Sequence, residues 1–241
     1  QNDLGYYDSA IYFRKLALNI KVNLKSPNQL DIFKTQAAIG YNYSSLRMID
    51  SAFFYLRPAL KGIIEELGNE NDDVAVISAQ LGGCHRIKKT YDSAKYYLEK
   101  AYEIYRKEKK PMSRKIGSIS NDLGIISSEL GRFDEALQYY QKSLKIAEHL
   151  FGEKHPYVAI TCNNIANTYR EQGQYKLALE YFERGLLIFQ SRFKNGHVKI
   201  AGFHNNIGLL LLEIGDLELA LGQLEKSIEM YQKLLGKDHP R

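Results

Sequence analysis

The chain has 241 residues, with 33 Lys and Arg against 28 Asp and Glu, for a net charge of +5. The excess is small and the two signs are interleaved, so the composition gives no argument for a nucleic-acid partner. Two cysteines, Cys84 and Cys162, exclude a disulfide framework and lead us to expect a reducing, cytoplasmic setting. No run approaches the roughly 18 consecutive apolar residues of a membrane span.

A strict internal period organises everything else. Ala10, Ala52, Ala94, Ala136, Ala178 and Ala220 stand 42 residues apart without an insertion or deletion. Ahead of five of them comes an apolar residue and then a small one: Ile39-Gly40, Leu81-Gly82, Leu123-Gly124, Ile165-Ala166 and Ile207-Gly208. Seven residues after each alanine stands another small residue: Ala17, Ala59, Ala101, Ser143, Gly185 and Ser227. Spacings of three, four and seven share one helical face, and small residues there let two helices cross closely. The pattern therefore predicts helical hairpins.

In chain order, residues 1–24 form a half repeat with a second helix near 8–24. Five full repeats follow at 25–67, 68–109, 110–151, 152–193 and 194–235, and 236–241 starts another. First helices are expected near 30–45, 73–88, 115–130, 157–172 and 199–214. Second helices are expected near 50–67, 92–108, 134–151, 176–193 and 218–235. Gly131, Gly173 and Gly215 suit the tight turns, with Asp134 and Asp216 as N-caps or first-turn acids. Pro58 lies inside a second helix, where a kink is expected. With no linker or composition shift, one solenoid domain over 1–241 is expected. Both ends fall inside the pattern, as in a piece of a longer protein.

The register Ile165-Ala166-x-x-Tyr169…Gly173-x-Tyr175…Ala178…Phe182…Gly185 resembles the tetratricopeptide repeat. That repeat usually has 34 residues. The 42-residue period and the loops Phe151-Gly-Glu-Lys-His155-Pro156 and Leu235-Gly-Lys-Asp-His239-Pro240 are similar to the kinesin-light-chain subtype. The resemblance implies an all-α fold: a right-handed superhelical solenoid of antiparallel hairpins, whose first helices line a concave groove.

Enzyme signatures are missing from the sequence: it holds no phosphate-binding loop, zinc-protease motif or nucleophile elbow. His155, His197 and His239 share one loop position a repeat apart, too far apart to ligate one metal, so each is expected to cap or pack at the start of the next helix. Cys84 and Cys162 read as small packing residues, and no catalytic residue, metal or cofactor is expected. Arg106, Lys107, Lys109, Lys110, Arg114 and Lys115 form an inter-repeat loop, either solvated or facing an acidic partner.

Asparagine is a poor helix former, yet it recurs on consecutive first helices. Its amide carries donor and acceptor together, matching an extended peptide backbone. The resemblance implies Asn121, Asn163, Asn167 and Asn205 as backbone contacts and Tyr41 at the position equivalent to Asn167. It also implies Arg86 and Arg170 as readers of an acidic group. Asn164 and Asn206 have a second reading, as hydrogen-bond links between adjacent first helices. The expected function is a non-enzymatic scaffold binding a protein or peptide segment in the groove from about Tyr41 to Leu212. The alternative is the regulatory array of a larger signalling protein, such as a caspase-like peptidase, histidine kinase or transcription regulator. The groove then contacts a missing domain of the same chain. A self-assembling scaffold is a third reading.

Overall fold

A computed structural model describes residues 2–107, 112–193 and 196–236, with side chains from Tyr6 onward. The described residues form helices and turns, without strands. The helices are α1 (Asn2–Val22), α2 (Gln29–Ser45), α3 (Ile49–Leu67), α4 (Asp72–Ile87), α5 (Tyr91–Lys107) and α6 (Arg114–Glu129). They continue with α7 (Phe133–Phe151), α8 (Pro156–Glu171), α9 (Tyr175–Arg192), α10 (Val198–Ile214) and α11 (Leu217–Leu235). Two compact units result, residues 1–111 with α1–α5 and residues 112–241 with α6–α11. Lys109, Lys110, His239 and the start of the next repeat after Gly236 lie outside the described residues.

Every helix except α1 begins and ends within a residue or so of the periodic expectation. α1 starts at Asn2, earlier than expected, and runs through Gly5. In the later repeats the corresponding position makes the turn between the two helices of a hairpin.

Each hairpin is closed by the same turn. The backbone N–H groups of Met48, Thr90, Arg132, Gln174 and Asp216 reach back to the carbonyls of Tyr43, His85, Ser127, Tyr169 and Leu211 at 2.8–3.0 Å. This closure needs one residue in the left-handed region. Gly131, Gly173 and Gly215 fill that position with φ of 71°, 71° and 91°, whereas the first unit places Arg47 and Lys89 there at φ 58°.

The paired helices of a hairpin cross on the small residues. A Cβ on Gly40 would lie 2.6 Å from Leu56 Cγ, and one on Gly82 equally close to Leu98 Cγ. The alanine row from Ala52 to Ala220 is fully buried. Stacking of one hairpin on the next follows a matched-volume rule. In the second unit Gly185 receives the ring of Phe203, and within the α6–α7 hairpin Gly117 receives Ile146.

First helices share a capping site. The side chains of Asn71, Ser113, His155 and His197, at one repeat position, accept from backbone N–H groups in the first turn of their helices. Asn28 does so one residue earlier in the repeat. The expected capping role holds for His155 and His197, whose Nδ1 atoms accept from Tyr157 and Lys199 at 3.1 and 3.0 Å. Asp216 caps α11 through Leu219 N, and Asp134 in the first turn of α7 accepts from Gln172 Nε2 at 2.9 Å. α3 is unbroken through Pro58, which faces solvent with Phe54, the residue whose carbonyl loses its helical donor.

Lys89→Gly is expected to raise stability by about 1 kcal/mol, because a Cβ in the left-handed region costs roughly 1–2 kcal/mol and glycine returns part of that as unfolded-state entropy. Gly131→Ala should lose a similar amount, and urea midpoints at constant m-value measure both.

His85 is buried between the rings of Phe53 and Tyr97, with Nδ1 2.7 Å from Thr90 Oγ1. Burial, and then the charge of Arg57, holds its pKa below the usual 6.5. The folded chain keeps this imidazole neutral, and the unfolded chain protonates it first. Its contribution is therefore complete above the unfolded pKa and declines as pH falls below about 6.5. His85→Tyr, matching Tyr43 and Tyr169, should reduce the loss of urea midpoint between pH 7.5 and pH 5.

Candidate peptide-binding site

In the second unit, α6, α8 and α10 carry Asn121, Asn163 and Asn205 at one register, followed by Asp122, Asn164 and Asn206 at the next. All six are half-buried. Consecutive residues on a helix project about 100° apart, so the later register of one helix can meet the earlier register of the helix before it. Asn164 Nδ2 donates to Asn121 Oδ1 at 3.0 Å, and Asn206 Nδ2 donates to Asn163 Oδ1 at 2.9 Å. The linking role expected of Asn164 and Asn206 is thus present in both. Asn167 Nδ2 donates to its own helix at Asn163 O, 2.9 Å away, and Asn205 Nδ2 lies 3.5 Å from Asn206 Oδ1.

These bonds sort the amide atoms. The oxygens of Asn121 and Asn163 are engaged, and their Nδ2 groups have no partner among the described residues. Asn167 is the reverse, with its nitrogen engaged and its oxygen without a partner among those residues. Asn163, Asn164, Asn205 and Asn206 come together around a cavity of about 240 Å³ that Lys199 and Tyr231 also line.

Arg170 is half-buried on α8, with Nη2 3.4 Å from Glu171 and Nε 3.8 Å from Glu213. Part of its charge is already answered within the fold. Tyr41 and Arg86 belong to the first unit. Tyr41 is 46% exposed on α2 and lines a pocket of about 360 Å³ with Arg14, Ala38, Ile77 and Gln80. Arg86 is half-buried near the end of α4. The expected set is therefore distributed over both units, with its asparagines concentrated in the second. The sequence did not single out Lys199 and Tyr231: Lys115 and Tyr105 hold the same repeat positions, and only the packing of the helices brings Lys199 and Tyr231 to the asparagines.

Cys84 and Cys162 are buried, and burial pushes both thiols up to about 11. Only about one molecule in 10⁴ carries a thiolate at neutral pH, which suits packing and does not suit nucleophilic work. No cluster of three or more His, Cys, Asp or Glu able to hold a metal occurs among the described residues. No helix among them is long and apolar enough to cross a membrane.

Family models of the tetratricopeptide repeat match residues 115–191 and 205–241. No curated protein sequence matches the chain. Among solved structures, it is similar to BtubC (BKLC) from P. vanneervenii, with TM-score 0.75 and 20% identity over 99% of this chain and 92% of that one. It is also similar to a Podosopora anserina kinesin-light-chain-type protein with nearly identical TPR-like repeats, with TM-score 0.74 and 16% identity over 86% and 98%. The apo form of RapI aligns with TM-score 0.67 and 20% identity over 95% and 92%. At these identities the likeness is one of fold. The two family matches identify tetratricopeptide repeats within residues 115–191 and 205–241, and the 42-residue hairpin with its repeated turn gives the chain the fold of the solved kinesin-light-chain-type repeat structures.

Proposed function

We propose that the chain is a binding scaffold that holds an extended protein segment against the first helices of the second unit. The observation that carries this reading is the sorting of the asparagine amides. The inter-helix bonds use the oxygens of Asn121 and Asn163, leaving N–H donors for a partner's backbone carbonyls. Asn167 offers the complementary oxygen to a backbone N–H. An extended peptide alternates those two groups along its length. Because the asparagines are tied between helices, they lose little rotamer freedom on binding. Asn205 extends the row, and Arg170 stands beside it for an acidic side chain, in competition with Glu213. In the first unit, Tyr41 holds the repeat position of Asn167, and Arg86 holds that of Arg170. The two buried free thiols suit a reducing compartment such as the cytoplasm.

The test must separate contact from architecture. Asn164→Ala and Asn206→Ala remove the inter-helix bonds. Asn167→Ala with Asn205→Ala leaves the two links intact and should shift Tm by no more than about 2 °C. That double variant should lose, in a quantitative pull-down from the native source, a partner that wild type retains. Equal retention would remove the asparagine row as the binding site.

A further inference from the structure

A second recognition feature lies in the first unit, away from the asparagines. A cleft of about 580 Å³ opens between the first half of α3 and the α4–α5 turn, lined by Asp50, Phe53, Phe54, Arg57, Pro58, His85, Lys88 and Thr90. Its walls are aromatic. Phe54 is 72% exposed, and Phe53 packs on His85 at 4.7 Å with the Arg57 guanidinium 4.5 Å above its ring. Its rim is cationic. Arg57 and Lys88 line it, Lys89 is exposed in the turn between the lining residues Lys88 and Thr90, and Asp50 answers Lys88 at 2.7 Å.

Two features of the chain meet at this cleft. Lys89, like Arg47 one repeat earlier, occupies the left-handed turn position that Gly131, Gly173 and Gly215 hold in the second unit. Strained backbone under a non-glycine side chain is a pointer to use of that side chain. Pro58, for its part, withholds the N–H that would close a helical bond to the Phe54 carbonyl, so an acceptor in need of a donor stands beside the cleft. The second unit carries none of this pattern. The positions of Phe54 hold Gln138, Glu180 and Gly222, and those of Arg57 hold Gln141, Glu183 and Glu225.

We propose that this cleft docks a short acidic protein segment bearing one large apolar side chain. The apolar side chain lies against Phe53 and Phe54, acidic residues face Arg57 and Lys89, and a backbone N–H of the segment donates to the Phe54 carbonyl. Electrostatic complementarity of this kind sets specificity and weakens with salt.

The probe is fluorescein-labelled Asp-Asp-Phe-Asp-Asp amide, titrated against the full chain by anisotropy and followed by amide shifts in ¹⁵N spectra. Shifts are expected at Phe54, Arg57 and Lys88–Thr90. A probe with Gly for Phe, or with Lys for Asp, should bind at least roughly tenfold more weakly. The decisive variant is Lys89→Gly, because it relieves the turn. It should fold more stably than wild type and yet bind the probe about three- to fivefold more weakly. Arg57→Glu should weaken binding by about tenfold or more, while Asn167→Ala/Asn205→Ala leaves it unchanged. Equal binding by wild type, Lys89→Gly and Arg57→Glu overturns the proposal. So does the absence of binding at millimolar probe, or a set of shifts centred on Asn163 and Asn205.

Discussion

The close crossing of two helices on a residue with little or no side chain is the constraint on which the rest depends. At Gly40 and Gly82 there is no room for a Cβ, because Leu56 and Leu98 already fill that space. The crossing brings the alanine row into the interior and fixes which face of each first helix is left outside. Stacking then repeats the problem at the next boundary, where small and large residues alternate. Phe203 is accommodated because Gly185 stands opposite. A Cβ there would lie 2.4 Å from the Phe203 ring and 3.2 Å from Ala159 O, so change in volume must be answered on both sides.

Fixing the hairpins also fixes the polar chemistry between them. Two asparagine registers on successive helices meet across the seam, and each bond consumes one specific amide atom. The pattern of remaining donors and acceptors is thus a by-product of stacking. A buried amide that already has one partner stands in a defined orientation, and a partner segment meets a pattern that needs little reordering.

The two units solve the same turn differently. In the second, glycine takes the left-handed position at no steric cost, the capping site is filled from Ser113 through His197, and the family models match. The first keeps the turn hydrogen bond but places Arg47 and Lys89 where a Cβ is strained. Cation, aromatic cleft and helix-internal proline are therefore gathered in the unit that departs from the repeat's local preferences. Such departures mark places where a sequence serves something other than its fold.

The sequence by itself determined the period, the hairpins, their boundaries and the residues at their crossings. These depend on local spacing: a helix turns every 3.6 residues, and a strict 42-residue recurrence places every small and large residue on a known face. It also marked the asparagines as exceptional, since they stand against helix propensity. What it could not decide was which atom of each amide remains available, because that depends on bonds between residues 43 positions apart. The period puts Lys89 in the register of Gly131, but does not say whether the turn keeps its left-handed backbone there without glycine. Only the tertiary structure shows the φ of 58° at Lys89. Local spacing tells which face a residue occupies, while the partner it meets across a seam is set by how hairpins stack.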